Sequence, residues 1–255
     1  MSVNYEEEIL KRRNLLKASN WRIEKEGDWW KSHQQKGIPA PPIVKPVPEN
    51  AMLIDLVQPE ELTIKDIPLF DAVSSRKSHR AFTDEKISLE ELSFLLWTTQ
   101  GVHEVDKKKI WTKRVVPSGG ARHPFETYLL INRVEGIKEG VYRYHPIENK
   151  LILINSQIDQ ETVKKAWYQD FIGKSAVIFI WTAIPYRTEW RYSLISYKDI
   201  LIEAGHICQN LYLACEAINA GTCAIAAYEQ KVVDSLIQVD GKEELAVYLA
   251  PVGKI

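Results

Sequence analysis

Residues 74–82 read SSRKSHRAF, which places Arg76, Lys77 and Arg80 within five positions, with His79 among them. The whole chain carries 33 basic and 34 acidic side chains, so this is a local concentration of cations. Arg76 and Arg80 can fork onto phosphate oxygens, Lys77 adds a point charge, and Ser78 can donate a short hydrogen bond. The plainer alternative is a solvated turn.

Three further stretches have types and spacing that could serve a ligand. In VVPSGGARHPFETYLL, Ser118, Gly119, Gly120 and Ala121 carry almost no side-chain bulk. Backbone of that kind admits a flat ligand, and glycine permits the positive φ that lets N–H groups converge. In INAGTCAIAAYEQ, a helical pattern stops at Gly221 and small residues follow up to Tyr228, again leaving backbone N–H groups accessible. Last, Gly253-Lys254 puts a cation directly after a strand. A flexible loop, a packed helix-to-strand connection and an exposed tail lysine are the plain readings of these three.

The elements that would position these residues are visible in the pattern. Ser88-Leu-Glu-Glu91 is a capping box, and Leu89, Leu92, Leu96 and Thr99 follow at helical spacing up to Gly101. TYLLI (127–131), GVYRYH (140–145) and KLILI (150–154) predict strands, the last two as a hairpin. AVIFIWT (176–182) suits a strand buried on both faces. Ile200, Ala204, Ile207, Leu211, Ala214 and Ile218 predict one long helix, and AVYLAPVG (246–253) a last strand. Ordered structure is expected to resume near Pro68. Before it, residues 5–17 form a short charged helix, and Trp21, Trp29 and Trp30 stand amid polar residues. In IPAPPIVKPVP (38–48), five prolines favour extended backbone. The interleaved Ile38, Ile43, Val44 and Val47 predict an arm that packs along a surface and not a free linker.

The bulk properties exclude several classes. Apolar residues make up 45 % and charged residues 26 %, an ordinary globular composition. A net charge of −1 argues against a nucleic-acid partner. No apolar run is long enough for a membrane span, and the first residues, MSVNYEEEILKRRN, are not expected to be a signal peptide. Cys208 and Cys215 lie about 10 Å apart along a helix, too far for a disulfide. Cys223 belongs to no CxxC pair, and no cluster has zinc spacing. Buried free thiols in a cytoplasmic protein without a metal are expected. There is neither GxGxxG after a first strand nor GxxxxGK[ST]. The fold class is α+β.

Taken together, these stretches resemble the FMN-dependent nitroreductase family. RKSHR (76–80) is similar to its RRSxR opening. PSGGARHPFETY (117–128) resembles the PSAGALYPLEVY-like motif of the branch that includes SagB-type azoline dehydrogenases. LLWTTQGV (95–102), GVYRYHP (140–146) and EAGHICQNLYLACEAINAGT (203–222) match the same branch. The resemblance runs from about 68 to 255. It implies a nitroreductase-like fold, with a central, mostly antiparallel sheet flanked by helices. Residues 68–255 would be the FMN-binding domain and 1–67 an N-terminal helix and Pro-rich arm. It further implies a homodimer with FMN at the interface. Arg76, Lys77, Ser78 and Arg80 would meet the phosphate and pyrimidine edge, with Lys254 also at the phosphate. Pro117, Ser118, Gly119 and Gly120 of the second copy would cover the ring. Ala224, Ile225, Ala226 and Ala227 would face flavin N5, with Ala226 as the donor. NAD(P)H and a nitro, quinone or similar acceptor would be the substrates.

The departures bear on chemistry. Typical nitroreductases have Asn and Gln where Ala121 and His123 align. The azoline-dehydrogenase pattern has Leu-Tyr at Arg122-His123, so these two side chains are expected to contact a polar substrate or reach solvent. That branch also uses a Lys-Tyr pair where Arg191-Tyr192 aligns. An arginine does not act as a base near neutrality, whereas Tyr192 can donate. The alternatives to a nitroreductase-like oxidoreductase are an azoline dehydrogenase of peptide maturation and a non-catalytic flavin- or partner-binding module.

Overall fold

A computed structural model describes residues 5–17 and 31–255; Trp21, Trp29 and Trp30 lie outside the described residues. In chain order the elements are α1 (Tyr5–Asn14), β1 (Leu53–Asp55), α2 (Leu69–Ser75), α3 (Leu89–Gln100), β2 (Val102–Val105), β3 (Thr112–Arg114), β4 (Phe125–Ile131), β5 (Gly140–His145) and β6 (Lys150–Asn155). Then follow α4 (Gln160–Ala166), β7 (Val177–Ala183), α5 (Tyr186–Tyr192), α6 (Ser196–Ala217), β8 (Ala220–Thr222), α7 (Gln230–Leu236) and β9 (Leu245–Lys254).

Seven strands form one sheet in the order β1-β6-β5-β4-β7-β9-β8, and every pairing is antiparallel. The α+β class, the β5–β6 hairpin and the strands β4, β7 and β9 match the sequence expectation. Successive residues of β4 and β7 point to opposite faces, and every one of them is buried, because both faces of these strands are covered. Phe125, Leu129 and Ile131 of β4 and Phe179 and Trp181 of β7 join one core, under α3 and α6. Tyr128 and Leu130 with Ile178 and Ile180 join another, under α4 and α7. All six residues of the predicted long stripe, Ile200 to Ile218, are buried. The capping box forms at α3: Glu91 N–H donates to Ser88 Oγ at 3.1 Å and Ser88 N–H to Glu91 Oε2 at 2.9 Å. Among the described residues no helix is long and apolar enough to cross a membrane.

Ordered structure begins earlier than Pro68. Leu53–Asp55 is the edge strand of the sheet, paired to β6, and Leu56 enters the core. Three residues are too few to show an alternating pattern.

The Pro-rich segment packs as an arm, as expected. Its carbonyls are read by side chains of the domain. Trp190 Nε1 donates to Ile38 O at 2.7 Å, Arg187 Nε to Pro42 O at 2.9 Å and Arg143 Nη2 to Pro46 O at 2.6 Å. The Lys45 amide donates to Glu126 Oε1 at 3.1 Å, and its ammonium pairs with Glu244. Glu126 also pairs with Arg187 at 2.6 Å, with 3 % and 2 % of the side chains exposed. Burial pushes the Glu126 carboxyl up, but the guanidiniums of Arg187, Arg143 and Arg114 outweigh it and leave it below its ordinary value. Removing one member of such a pair strands the other charge in the interior. Arg187→Ala should therefore lower unfolding free energy by about 3–5 kcal/mol, measured by urea denaturation, and loosen residues 38–46 in hydrogen exchange.

Candidate active site

The basic turn lies flat on the β8–β9 edge of the sheet. Ser78 bridges to Thr222, His79 N–H donates to Thr222 O at 2.9 Å, and Thr83 N–H to Lys254 O at 2.9 Å. Two glycines make room for it. A Cβ at Gly221 would stand 2.6 Å from His79 Cβ, and one at Gly253 2.9 Å from Phe82 Cβ. Lys77 and Arg80 are exposed and Arg76 is half-buried. No carboxylate lies within ion-pair distance of any of these three among the described residues. Lys254 is different: its ammonium is held by Glu91 Oε1 at 2.5 Å and Ile218 O at 2.6 Å.

Tyr212, which sequence reasoning missed, organises this region from α6. Its hydroxyl lies 2.9 Å from Ser78 Oγ and accepts Ala224 N–H at 2.8 Å. The Arg76 guanidinium sits 5.3 Å from the centroid of its ring. Tyr212 thus ties the turn to the 224–227 segment. The only signal in the sequence is a phenol between Leu211 and Leu213, beside the apolar helical stripe. Ile225 pairs with Leu249 through both backbone groups. Ala226 and Ala227 are exposed, and the Ala226 N–H has no acceptor among the described residues.

A second constellation surrounds Ser118–Gly120. Gly119 N–H donates to Glu203 Oε1 at 2.7 Å, and His123 N–H to Ser118 Oγ at 2.8 Å. Gly120 has φ +59°, and a Cβ on it would lie 2.7 Å from Arg191 Cδ and 2.9 Å from Tyr192 Oη. The Arg191-Tyr192 pair is therefore packed directly on the glycine loop. A cavity of about 140 Å³ is lined by Pro117, Ser118, Gly119, Asp199, Glu203 and His206, among others. Burial pushes the Glu203 carboxyl up to about 7; hydrogen bonds from Gly119 and Ser118 offset part of this, and Asp199 adds to it.

Arg122 and His123 do not reach solvent or a substrate, which corrects the expectation from the sequence. They are 1 % and 5 % exposed. Arg122 Nε donates to Arg187 O at 2.8 Å, its Nη1 bonds Ile110 O, and its guanidinium stacks over Trp190 at 4.8 Å. Burial and the neighbouring Arg114 hold the His123 ring down to about 2, so it is neutral. The turn 120–123 folds these side chains inward, which one sequence read without its backbone angles does not reveal.

The two constellations do not meet within one chain. Glu203 and Tyr212 are nine positions apart on α6, about 14 Å along the axis and half a turn around it. The 117–120 loop and the basic turn thus dock on opposite faces of one helix.

The nitroreductase family profile matches residues 73–254. A protein of Methanocaldococcus jannaschii described as a nitroreductase is 30 % identical over 192 residues, which is 75 % of this chain and 93 % of that relative. The trifolitoxin-processing protein TfxB of Rhizobium leguminosarum bv. trifolii is 28 % identical over 136 residues, 50 % of this chain and 36 % of TfxB. A solved nitroreductase structure from Ralstonia eutropha JMP134 superposes with a TM-score of 0.66 at 22 % identity, covering 85 % of this chain and 98 % of that one. A chain of the E. coli microcin synthetase McbBCD complex with truncated pro-MccB17 bound gives 0.59 at 18 % identity, covering 97 % and 92 %. At these identities the superpositions establish the fold.

Tyr212→Phe tests the clasp. It leaves Ala224 N–H and Ser78 Oγ without their shared partner, at a cost of about 1–3 kcal/mol. Urea denaturation should show this loss, and exchange should quicken at 76–80 and 224 while circular dichroism is unchanged.

Proposed function

The chain belongs to the nitroreductase family, and from that premise we propose that it is an FMN-dependent oxidoreductase, reducing a nitro, quinone or similar acceptor at the expense of NAD(P)H. The observation that carries this reading is the basic turn. Among the described residues its three cations have no carboxylate partner, and Tyr212 joins it to a segment whose Ala226 N–H has no acceptor there.

These residues fit FMN. Arg76, Lys77, Ser78 and Arg80 offer charge-assisted hydrogen bonds to a phosphate and to the electron-rich edge of a flavin. The N–H of the exposed Ala226 would be available to the ring as a donor, beside Ala224 and Ala227, which present no bulk. When bound, FMN would supply reversible two-electron chemistry through hydride transfer at N5. The work left to this chain is orientation, exclusion of water and placement of charge. Tyr192, against Gly120, is positioned to donate a proton, with the Arg191 guanidinium beside it.

In this reading the protein works as a homodimer, in the cytoplasm. The 117–120 loop cannot reach its own basic turn across α6, so a second copy supplies the cover. α2 offers surface for that contact. Leu69, Phe70 and Val73 are 72 %, 80 % and 56 % exposed, beside an apolar groove of about 340 Å³ that includes Phe94, Trp97 and Leu213. Large apolar side chains exposed together mark an interface.

A second reading, an azoline dehydrogenase of peptide maturation, is favoured by the similarity to a trifolitoxin-processing protein and by Arg191-Tyr192 lying on the glycine loop. Oxygen would then reoxidise the flavin. Turnover of an azoline peptide, lost in Tyr192→Phe, with no response to nicotinamides, would favour it over the first. A non-catalytic module would turn over nothing.

Purified protein should be yellow, release FMN identified by mass spectrometry, and bleach with NADH or NADPH. Arg76→Ala with Arg80→Ala should weaken FMN binding at least about a hundredfold by fluorescence titration, with the fold retained. A double variant that keeps its flavin would overturn the site.

A further inference from the structure

Two buried or half-buried carboxylates stand under one backbone amide. Asp199 and Glu203 are one turn apart on α6. A Cβ on Gly119 would lie 3.3 Å from Asp199 Oδ2 and 3.5 Å from Glu203 Oε1, and Glu203 accepts the Gly119 N–H. Glu203 is only 4 % exposed, and the 117–119 loop forms part of the cavity wall above it.

We propose that Glu203 is a positioning residue: a latch that keeps the 117–120 loop down while it carries a proton and lets the loop lift when it ionises. The functional half of this rests on the reading above, in which the loop covers the flavin of a second copy.

The sign follows from which groups face the carboxyl. On α6 these are Asp199, a like charge that disfavours ionisation, and His206 at the cavity rim. From β3 comes Arg114, whose attraction is a smaller influence. From α5, Arg191 packs on Gly120, and the Tyr192 ring lies against Gly119 on the side where both carboxylates stand. The loop offers only the Ser118 hydroxyl and the Gly119 N–H. A neutral carboxylic acid satisfies both, accepting from Gly119 through its carbonyl oxygen and donating to Ser118. A carboxylate needs more hydration than two donors give, and lifting the loop admits water. Burial holds the group at about 7 with the loop down. Hydration would return it toward its ordinary value of about 4.3. The closed loop therefore binds the proton more tightly. Opening grows by up to about tenfold per pH unit between those two values and levels off above the upper one.

Hydrogen–deuterium exchange of segment 117–122, read as protection factors between about pH 5 and 8.5 on flavin-free protein, tests the latch by itself. Protection should fall severalfold per unit up to about 7 and then stay constant. Glu203→Gln, a neutral isostere, should remain protected with no pH dependence. Asp199→Asn removes the like charge and should move the break to lower pH, whereas His206→Gln should leave it in place. A flat wild-type profile, or a Glu203→Gln profile that still follows the wild type, overturns the proposal. FMN release measured on the loaded protein separates the two claims. If the exchange profile is as expected but flavin release ignores both pH and Glu203→Gln, the latch stands and the loop is not the cover.

Discussion

The rigid spacing along α6 is the constraint on which the rest depends. A helix of 22 residues spans about 33 Å and fixes each side chain in angle as well as height. Its stripe from Ile200 to Ile218 is committed to the sheet. What remains for function is what projects beside that stripe: Glu203 toward the glycine loop, Tyr212 toward the basic turn. Nine residues put these two half a turn apart, so within one chain the glycine loop and the basic turn lie on opposite sides of the helix. Each is tied down by its own hydrogen bonds.

Charge is sorted in the same way. Arg114, Arg122, Arg143 and Arg187 are all less than a tenth exposed, and Glu126 acts on three of them, Arg187, Arg143 and Arg114. Each buried guanidinium costs several kcal/mol of lost hydration, about what a good partner returns. Carboxylates are too few for these cations, and carbonyl oxygens supply further acceptors. This accounts for the composition of the arm. Proline contributes a carbonyl acceptor and no N–H that would itself need a partner, so residues 38–46 can lie over a row of cations with few donors left unmatched. Among the described residues the cations of the basic turn meet no such carbonyls; Lys77 and Arg80 are exposed and Arg76 is half-buried.

Much of the fold was legible because it is repetitive. Capping, the hairpin, the doubly buried strands and the long stripe each follow a period that a single sequence displays. β1 escaped because three residues show no period. The basic turn was legible as composition, and its neighbours Gly221 and Gly253 as small residues. Tyr212 and Glu203 were not, since their roles depend on what crosses the helix at their height. Arg122 and His123 were misjudged for a related reason: charge in a loop suggests solvent, yet the positive φ of Gly120, Ala121 and His123 turns both side chains inward.

The glycines refine what small residues mean here. Read from sequence, Gly119-Gly120 leaves space for a flat ligand to approach the backbone. In the fold, the space a Cβ would take at those positions is already filled, by Arg191, Tyr192 and Asp199 of the same chain. Gly221 and Gly253 are likewise filled by His79 and Phe82. Each glycine lets one segment of the chain lie against another: a phenol and a guanidinium at the first pair, and at the second a turn whose three cations have no carboxylate partner among the described residues. A side chain at any of the four would displace that segment rather than occlude a ligand directly. Loss of a bound cofactor on such a substitution would therefore follow from movement of the turn, and it would be accompanied by a change in the hydrogen bonds at Thr222 and Lys254 that an occluded but unmoved site would not show.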